Sequence, residues 1–148
     1  MTALANIVRR SPADLLLAAE ALLLLAFFRI CLALVPVRTI IRTITRSPSG
    51  ANSEDATTIP DRSLHIARRV RWAVEAVARN SPVQFVCFPQ TLAGYTMLRW
   101  RGVPATMVYG VARSPEGDLL AHTWLTLGDR TVLGADAAPG FTPIERWS

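Results

Sequence analysis

The chain has 148 residues, 51% of them hydrophobic, and a formal charge of +5 in which all sixteen basic residues are arginine. That length suits one domain with a real core, and the scattered arginines lack the aromatic-rich basic stripe of a nucleic-acid-binding module. The positive charge fits an acidic peptide, a protein partner or an anionic surface. The Arg-only bias, with abundant Ala and Leu, reflects a GC-rich genome more than a function.

Arg9-Arg10 ahead of Leu15-Leu16-Leu17 and Ala21 to Phe28 has the outline of a signal peptide. Asp14, Glu20 and Arg29 interrupt it, and no small-x-small cleavage site precedes a polar start. The longest wholly apolar stretch, Ala21 to Phe28, falls far short of the roughly 20 residues that span a bilayer. The expectation is a core helix of a cytoplasmic protein, with peripheral membrane contact as the other option. Ser11 caps this helix, Pro12 takes its first position and Asp14 its first turn, and Pro36 stops it after about Val35. Cys31, inside the apolar run, reads as a small buried core residue. A single disulfide to Cys87 would be an odd staple for so apolar a chain, so the compartment reads as reducing.

A second, more basic piece runs from Val37 to about Arg46. Arg38, Arg42 and Arg46 are four apart and share a face opposite Ile40, Ile41 and Ile44. This is a solvated face, with a partner-docking surface as the alternative. Residues 47–60 are polar and aperiodic, hence a flexible loop. Asp61 or Ser63 then caps a helix to about Asn80, with Ile66, Val70, Ala73, Val74 and Val77 as its buried stripe. His65 on that helix has no carboxylate around it and no assigned role. A further helix runs from Cys87 to about Arg101, with Gly102 at the C-cap. Extended runs follow over 105–112, 119–127 and 131–135, separated by Ser114 to Asp118 and by Gly128-Asp129-Arg130. They form a three-stranded antiparallel meander that Pro139-Gly140 ends. The fold class is α+β: N-terminal helices, then a small antiparallel sheet, in a papain/transglutaminase-like core. One domain spans 1–148, divided into N-terminal helices (1–46), a flexible loop (47–60) and a catalytic core (61–148).

Cys87 opens a helix, His122 lies on a strand and Asp136 follows the next strand. This is the order of parts in a cysteine nucleophile site. A thiolate attacks a carbonyl, an imidazole takes and returns a proton, and a carboxylate fixes the imidazole's tautomer. A helix N-terminus favours the thiolate through its exposed N–H groups, and Pro89 suits the first turn. Acyl transfer needs more than one donor aimed at the oxyanion. The Cys87 N–H is one, and Gln84 is a candidate second, with a plain surface-loop residue as its alternative. A three-residue loop at 128–130 sets His122 opposite Asp136, about 5 Å apart at Cβ. A two-residue loop sets Ala135 there instead. Asp129 at the turn tip and Asp118 at the strand entry point elsewhere, so Asp136 is the preferred orienting acid. Two distant Cys and two His have no metal-ligand spacing, and the chemistry calls for no cofactor. The constellation points to an acyl-transfer enzyme, a peptidase first.

Three further stretches carry a family resemblance: Cys87 to Ala93, Met97 to Ala105 and Ala121-His122-Thr123-Trp124-Leu125. They resemble the lasso peptide biosynthesis B2 proteins, the leader peptidases. That family has a Cys at a helix start, a Leu-Arg-x-x-Gly-Ile-Pro-Ala turn and an Ala-His-Ala-Trp-Val strand. Pro12-Ala13-Asp14, the Leu-rich run and Val35-Pro36-Val37-Arg38 extend the likeness upstream. The resemblance implies a transglutaminase-like cysteine protease that removes the leader from a ribosomally made precursor. Its partners would be that precursor, a small leader-recognition protein of the B1 type and an ATP-using macrolactam synthetase, the C protein. The family's Cys and His carry over to Cys87 and His122. Gly134 stands near where the acid could also fall, and Asp136 is the nearest match on the correct strand. Thr123 and Thr126 replace residues more often Ala and Glu. Two other readings share the residues: a transglutaminase-fold acyltransferase or amidase of another pathway, and a non-catalytic scaffold at a membrane surface.

Overall fold

The structure, a computed structural model, describes residues 11–44, 59–136 and 138–148. Arg9-Arg10, Arg46 and the 47–58 part of the predicted loop lie outside the described residues. Helix α1 (Pro12–Leu34) starts where Ser11 Oγ accepts the Asp14 N–H at 3.3 Å. Leu17, Ala21, Leu25 and Phe28 recur at helical spacing and form its buried face. The charged residues that interrupt its apolar run are tethers. Asp14 pairs with Arg69 at 2.8 Å, Glu20 with Arg101 at 2.6 Å, and Arg29 donates to the Gln84 carbonyl at 3.1 Å. The Glu20 hydrogen bond holds the Arg101 guanidinium's pKa above its ordinary value, against the opposing effect of burial. The other side of α1 is apolar and open: Leu16, Leu23 and Leu34 are 73%, 72% and 78% exposed. By length and composition alone α1 is also long and apolar enough to cross a membrane, a property it shares with core helices and signal sequences.

Helix α2 (Val37–Ile44) buries Ile40 and Ile41 and leaves Arg38 and Arg42 exposed, as the four-residue spacing predicts. Helix α3 (Asp61–Asn80) is preceded by Pro60 as its N-cap, with no side-chain capping bond, so neither Asp61 nor Ser63 caps it. Its buried face is Ala67, Val70, Ala73, Val74 and Ala76, with Ile66 and Val77 at the margins. Helix α4 (Cys87–Trp100) is buried on nearly every side, because α1 and α3 pack on it from one direction and the sheet from the other. It ends in a Schellman arrangement: Gly102 at φ 69, its N–H on Arg99 O, and the Val103 N–H on Leu98 O, both at 3.0 Å.

The sheet has four strands where the sequence reading has three. Its order is β3-β2-β1-β4, antiparallel throughout. Strand β1 (Thr106–Arg113) pairs with β2 (Leu119–Leu127) without a break, from Thr106 opposite Thr126 to Arg113 opposite Leu119. Strand β4 (Thr142–Trp147) adds to the far side of β1. It has no apolar alternation, and its Pro143 is tolerated because the strand is an edge. Strand β3 (Arg130–Leu133) closes the other edge.

The β2–β3 hairpin corrects the predicted turn. Leu127 pairs with Arg130, so the loop is the two residues Gly128 and Asp129, with Gly128 at φ 52. A bulge follows: Thr126 pairs with Thr131 but Leu125 with Leu133, leaving Val132 as the extra residue. The bulge restores the phase that a three-residue loop would have given. The ladder then stops at Leu133, before it reaches His122, and Gly134 turns the chain away at φ 75. The predicted pairing of His122 with Asp136 is therefore not formed.

Thr123, Leu125 and Leu127 alternate toward α4, and His122, Trp124 and Thr126 toward the other face. On that second face the Trp124 ring lies across Gly110. A Cβ at 110 would meet two ring carbons at 2.6 and 2.8 Å and the Thr142 carbonyl oxygen at 2.9 Å. Gly110→Ala is expected to cost about 1–3 kcal/mol through this overpacking, read as a lower urea midpoint at unchanged slope.

Candidate active site

Cys87 is the first residue of α4, and the residue before it is Val86, whose side chain has no oxygen to cap the helix. Among the described residues no side chain caps the first-turn N–H groups, which stand at the positive end of the helix dipole beside the thiol. Pro89, in the same turn, has no N–H to leave unsatisfied. Gln90 fixes the approach to the helix by donating from Nε2 to the Phe85 carbonyl at 2.6 Å. Cys87 itself is half-buried and, like Cys31, a free thiol.

Thr91 joins the cysteine end of the helix to the histidine strand. One turn after Cys87, its Oγ1 donates to the Cys87 carbonyl at 2.9 Å. The same oxygen lies 3.2 Å from the Thr123 carbonyl and 3.0 Å from Thr123 Oγ1. Both threonines are buried, so these bonds operate with little competition from water. They fix the start of α4 against β2 next to His122. Neither Thr91 nor Thr123 was assigned a role from the sequence. Only the four-residue spacing from Cys87 to Thr91, one helical turn, hinted at the first.

His122 is half-buried on β2, opposite Gly110 of β1. Its ring stacks on Trp124 (centroids 5.9 Å apart, 19° between planes) and leans on Phe141 at 5.2 Å. Its Nε2 lies 3.1 Å from the Gly134 carbonyl oxygen. Asp136 is exposed in the turn beyond Gly134. Among the described residues no hydrogen bond joins Asp136 to His122, and none joins Cys87 to His122. Gln84 is exposed three residues before the helix, with its backbone carbonyl taken by Arg29. Asp129 is at the turn tip, Asp118 precedes β2, and His65 is exposed on α3.

Cys87 opens a buried helix that Thr91 fastens to Thr123 of an antiparallel strand. His122, the residue before Thr123, stacks on Trp124 on the other face of that strand, all within a fold of the α+β class. The chain belongs to the transglutaminase-like superfamily, which it matches over residues 22–146. That superfamily includes cysteine peptidases and acyltransferases. No curated protein and no solved structure matches the chain. The matched span begins within α1 and ends in β4, so it takes in β1, β2, β3 and nearly all of β4, with Gln84, Cys87, His122 and Asp136 inside it.

Proposed function

We propose that this chain is a cysteine peptidase that removes the leader from a lasso peptide precursor. The observation that carries the reading is the placement of Cys87 at an uncapped helix start, held by Thr91 against the strand that bears His122. The Cys87 thiolate attacks the carbonyl at the end of the leader. The helix-start N–H groups receive the developing oxyanion, with Gln84 as a second donor. His122 gives its proton to the departing amine, which is the core peptide's new N-terminus. Water then attacks the thioester, His122 takes a proton from it, and the leader leaves as a free carboxylic acid.

The substrate class is supported by the Cys87–Ala93, Met97–Ala105 and Ala121–Leu125 stretches, which resemble the leader peptidases of lasso peptide biosynthesis. On this reading the chain works in the cytoplasm with a leader-recognition protein and a macrolactam synthetase. Its +5 charge suits an acidic peptide or partner. The same acyl-enzyme serves an acyltransferase if an amine replaces the water, so the product decides between them.

The test is mass spectrometry of a lasso peptide precursor incubated with the purified chain, with and without a leader-recognition protein of the B1 type. Cleavage is expected to be slow for the chain alone and at least tenfold faster with the partner, because tethering raises the local precursor concentration. Full activity of the lone chain at low micromolar precursor would remove the partner from the proposal. An amine-linked product in place of two hydrolysis fragments would make the protein an acyltransferase.

A further inference from the structure

We propose that the Gly134 backbone carbonyl, and not a carboxylate, sets the tautomer of His122. It keeps the proton on Nε2 and leaves Nδ1 as the proton-accepting nitrogen. The inference rests on the reading of His122 as the general base and adds what positions it.

The geometry is specific. Gly134 O lies 3.1 Å from His122 Nε2. A carbonyl oxygen has lone pairs and no proton, so the bond exists only if Nε2 carries hydrogen. In the neutral ring that leaves Nδ1 unprotonated. Trp124 and Phe141 hold the imidazole from its sides, so it cannot turn freely to exchange its nitrogens.

The chain turn that delivers this carbonyl requires glycine. Gly134 sits at φ 75, where side chains are strained. A Cβ there would also stand 3.1 Å from the Thr123 carbonyl oxygen, 3.1 Å from Trp124 Cβ and 3.3 Å from His122 Nε2 itself. The β2–β3 ladder ends one residue earlier, which frees the Gly134 carbonyl from strand pairing. Asp136 lies two residues further on, is exposed, and makes no hydrogen bond to the ring among the described residues. A neutral acceptor orients the ring as a carboxylate does but adds no negative charge beside the imidazolium. Gly134 is thus a positioning residue that acts through its backbone.

The experiment is nitrogen NMR of histidine-labelled protein at a pH where imidazole is neutral, with His65→Gln to assign the two rings. His122 is expected to show the Nε2–H pattern in the native chain and to keep it unchanged in Asp136→Asn. In Gly134→Ala the single pattern should give way to a mixture of tautomers. An Nδ1–H ring in the native protein, or a change of tautomer in Asp136→Asn, would overturn the inference. Should Gly134→Ala fail to fold, those two spectra still decide. The readout does not depend on catalysis. A chain that cleaves nothing but carries the Nε2–H ring refutes the proposed function alone. A cleaving chain with an Nδ1–H ring refutes this inference alone.

Discussion

Cys87→Ala is expected to abolish precursor cleavage while leaving the fold intact. The proposed reaction passes through a thioester, and alanine has no atom that can form one. Losing a nucleophile of this kind costs on the order of 10⁴- to 10⁶-fold, leaving only what oriented binding supplies. The fold should hold because the position is a helix start and alanine is the best helix former. Thr91 bonds to the backbone carbonyl of residue 87, not to its thiol, so the link between α4 and β2 survives the change. Cys31→Ala is the control: it removes the other free thiol, on α1, which packs against the core. Cleavage rates of the two variants, with circular dichroism spectra, make the comparison. A Cys87→Ala protein that still cleaves would sink the covalent mechanism and with it the peptidase reading.

His122→Ala should be nearly as damaging, at about 10⁴-fold or more. Without the imidazole nothing takes the proton from the thiol or returns one to the leaving amine. This variant also removes a ring that packs between Trp124 and Phe141, so some loss of stability accompanies it. His122→Gln is the needed companion, since it fills more of the space and can still donate to the Gly134 carbonyl but cannot serve as a base near neutral pH. Single-turnover cleavage, with thermal melts of both variants, separates chemistry from folding. If His122→Gln cleaved at the native rate, the base would have to be another residue.

Much of the candidate site was legible in the chain because its signals are local. Cys87 follows a break at Ser81-Pro82 and precedes a helical run, and Gly102 marks that run's end. His122 sits in a strand-like run between two turn segments, and the two elements are where those signals put them. The group that faces His122 was not legible, and the reason is register. Turn length and bulge position depend on how Leu125, Leu133 and Gly94 fit against one another between sheet and helix. A bulge of one residue moves every later pairing, and no local pattern announces it. The fourth strand escaped for a related reason. Thr142 to Trp147 has no alternation of its own and becomes a strand because the β1 edge is there to pair with.

By itself the sequence determined the α+β class, the course of α1, α3 and α4, and the order of a cysteine at a helix start and a histidine on a strand. Those depend on capping residues, breakers and periodicity, which act over a few neighbours. Only the tertiary structure decided what the charged residues of α1 are for, since Glu20 and Arg101 meet across 81 positions of chain. Likewise it alone decided that Thr91 fastens the cysteine helix to the histidine strand, and that the acceptor at His122 Nε2 is a glycine carbonyl. Each of these is a contact between distant segments, fixed by which faces must be buried together and not by the residues on either side.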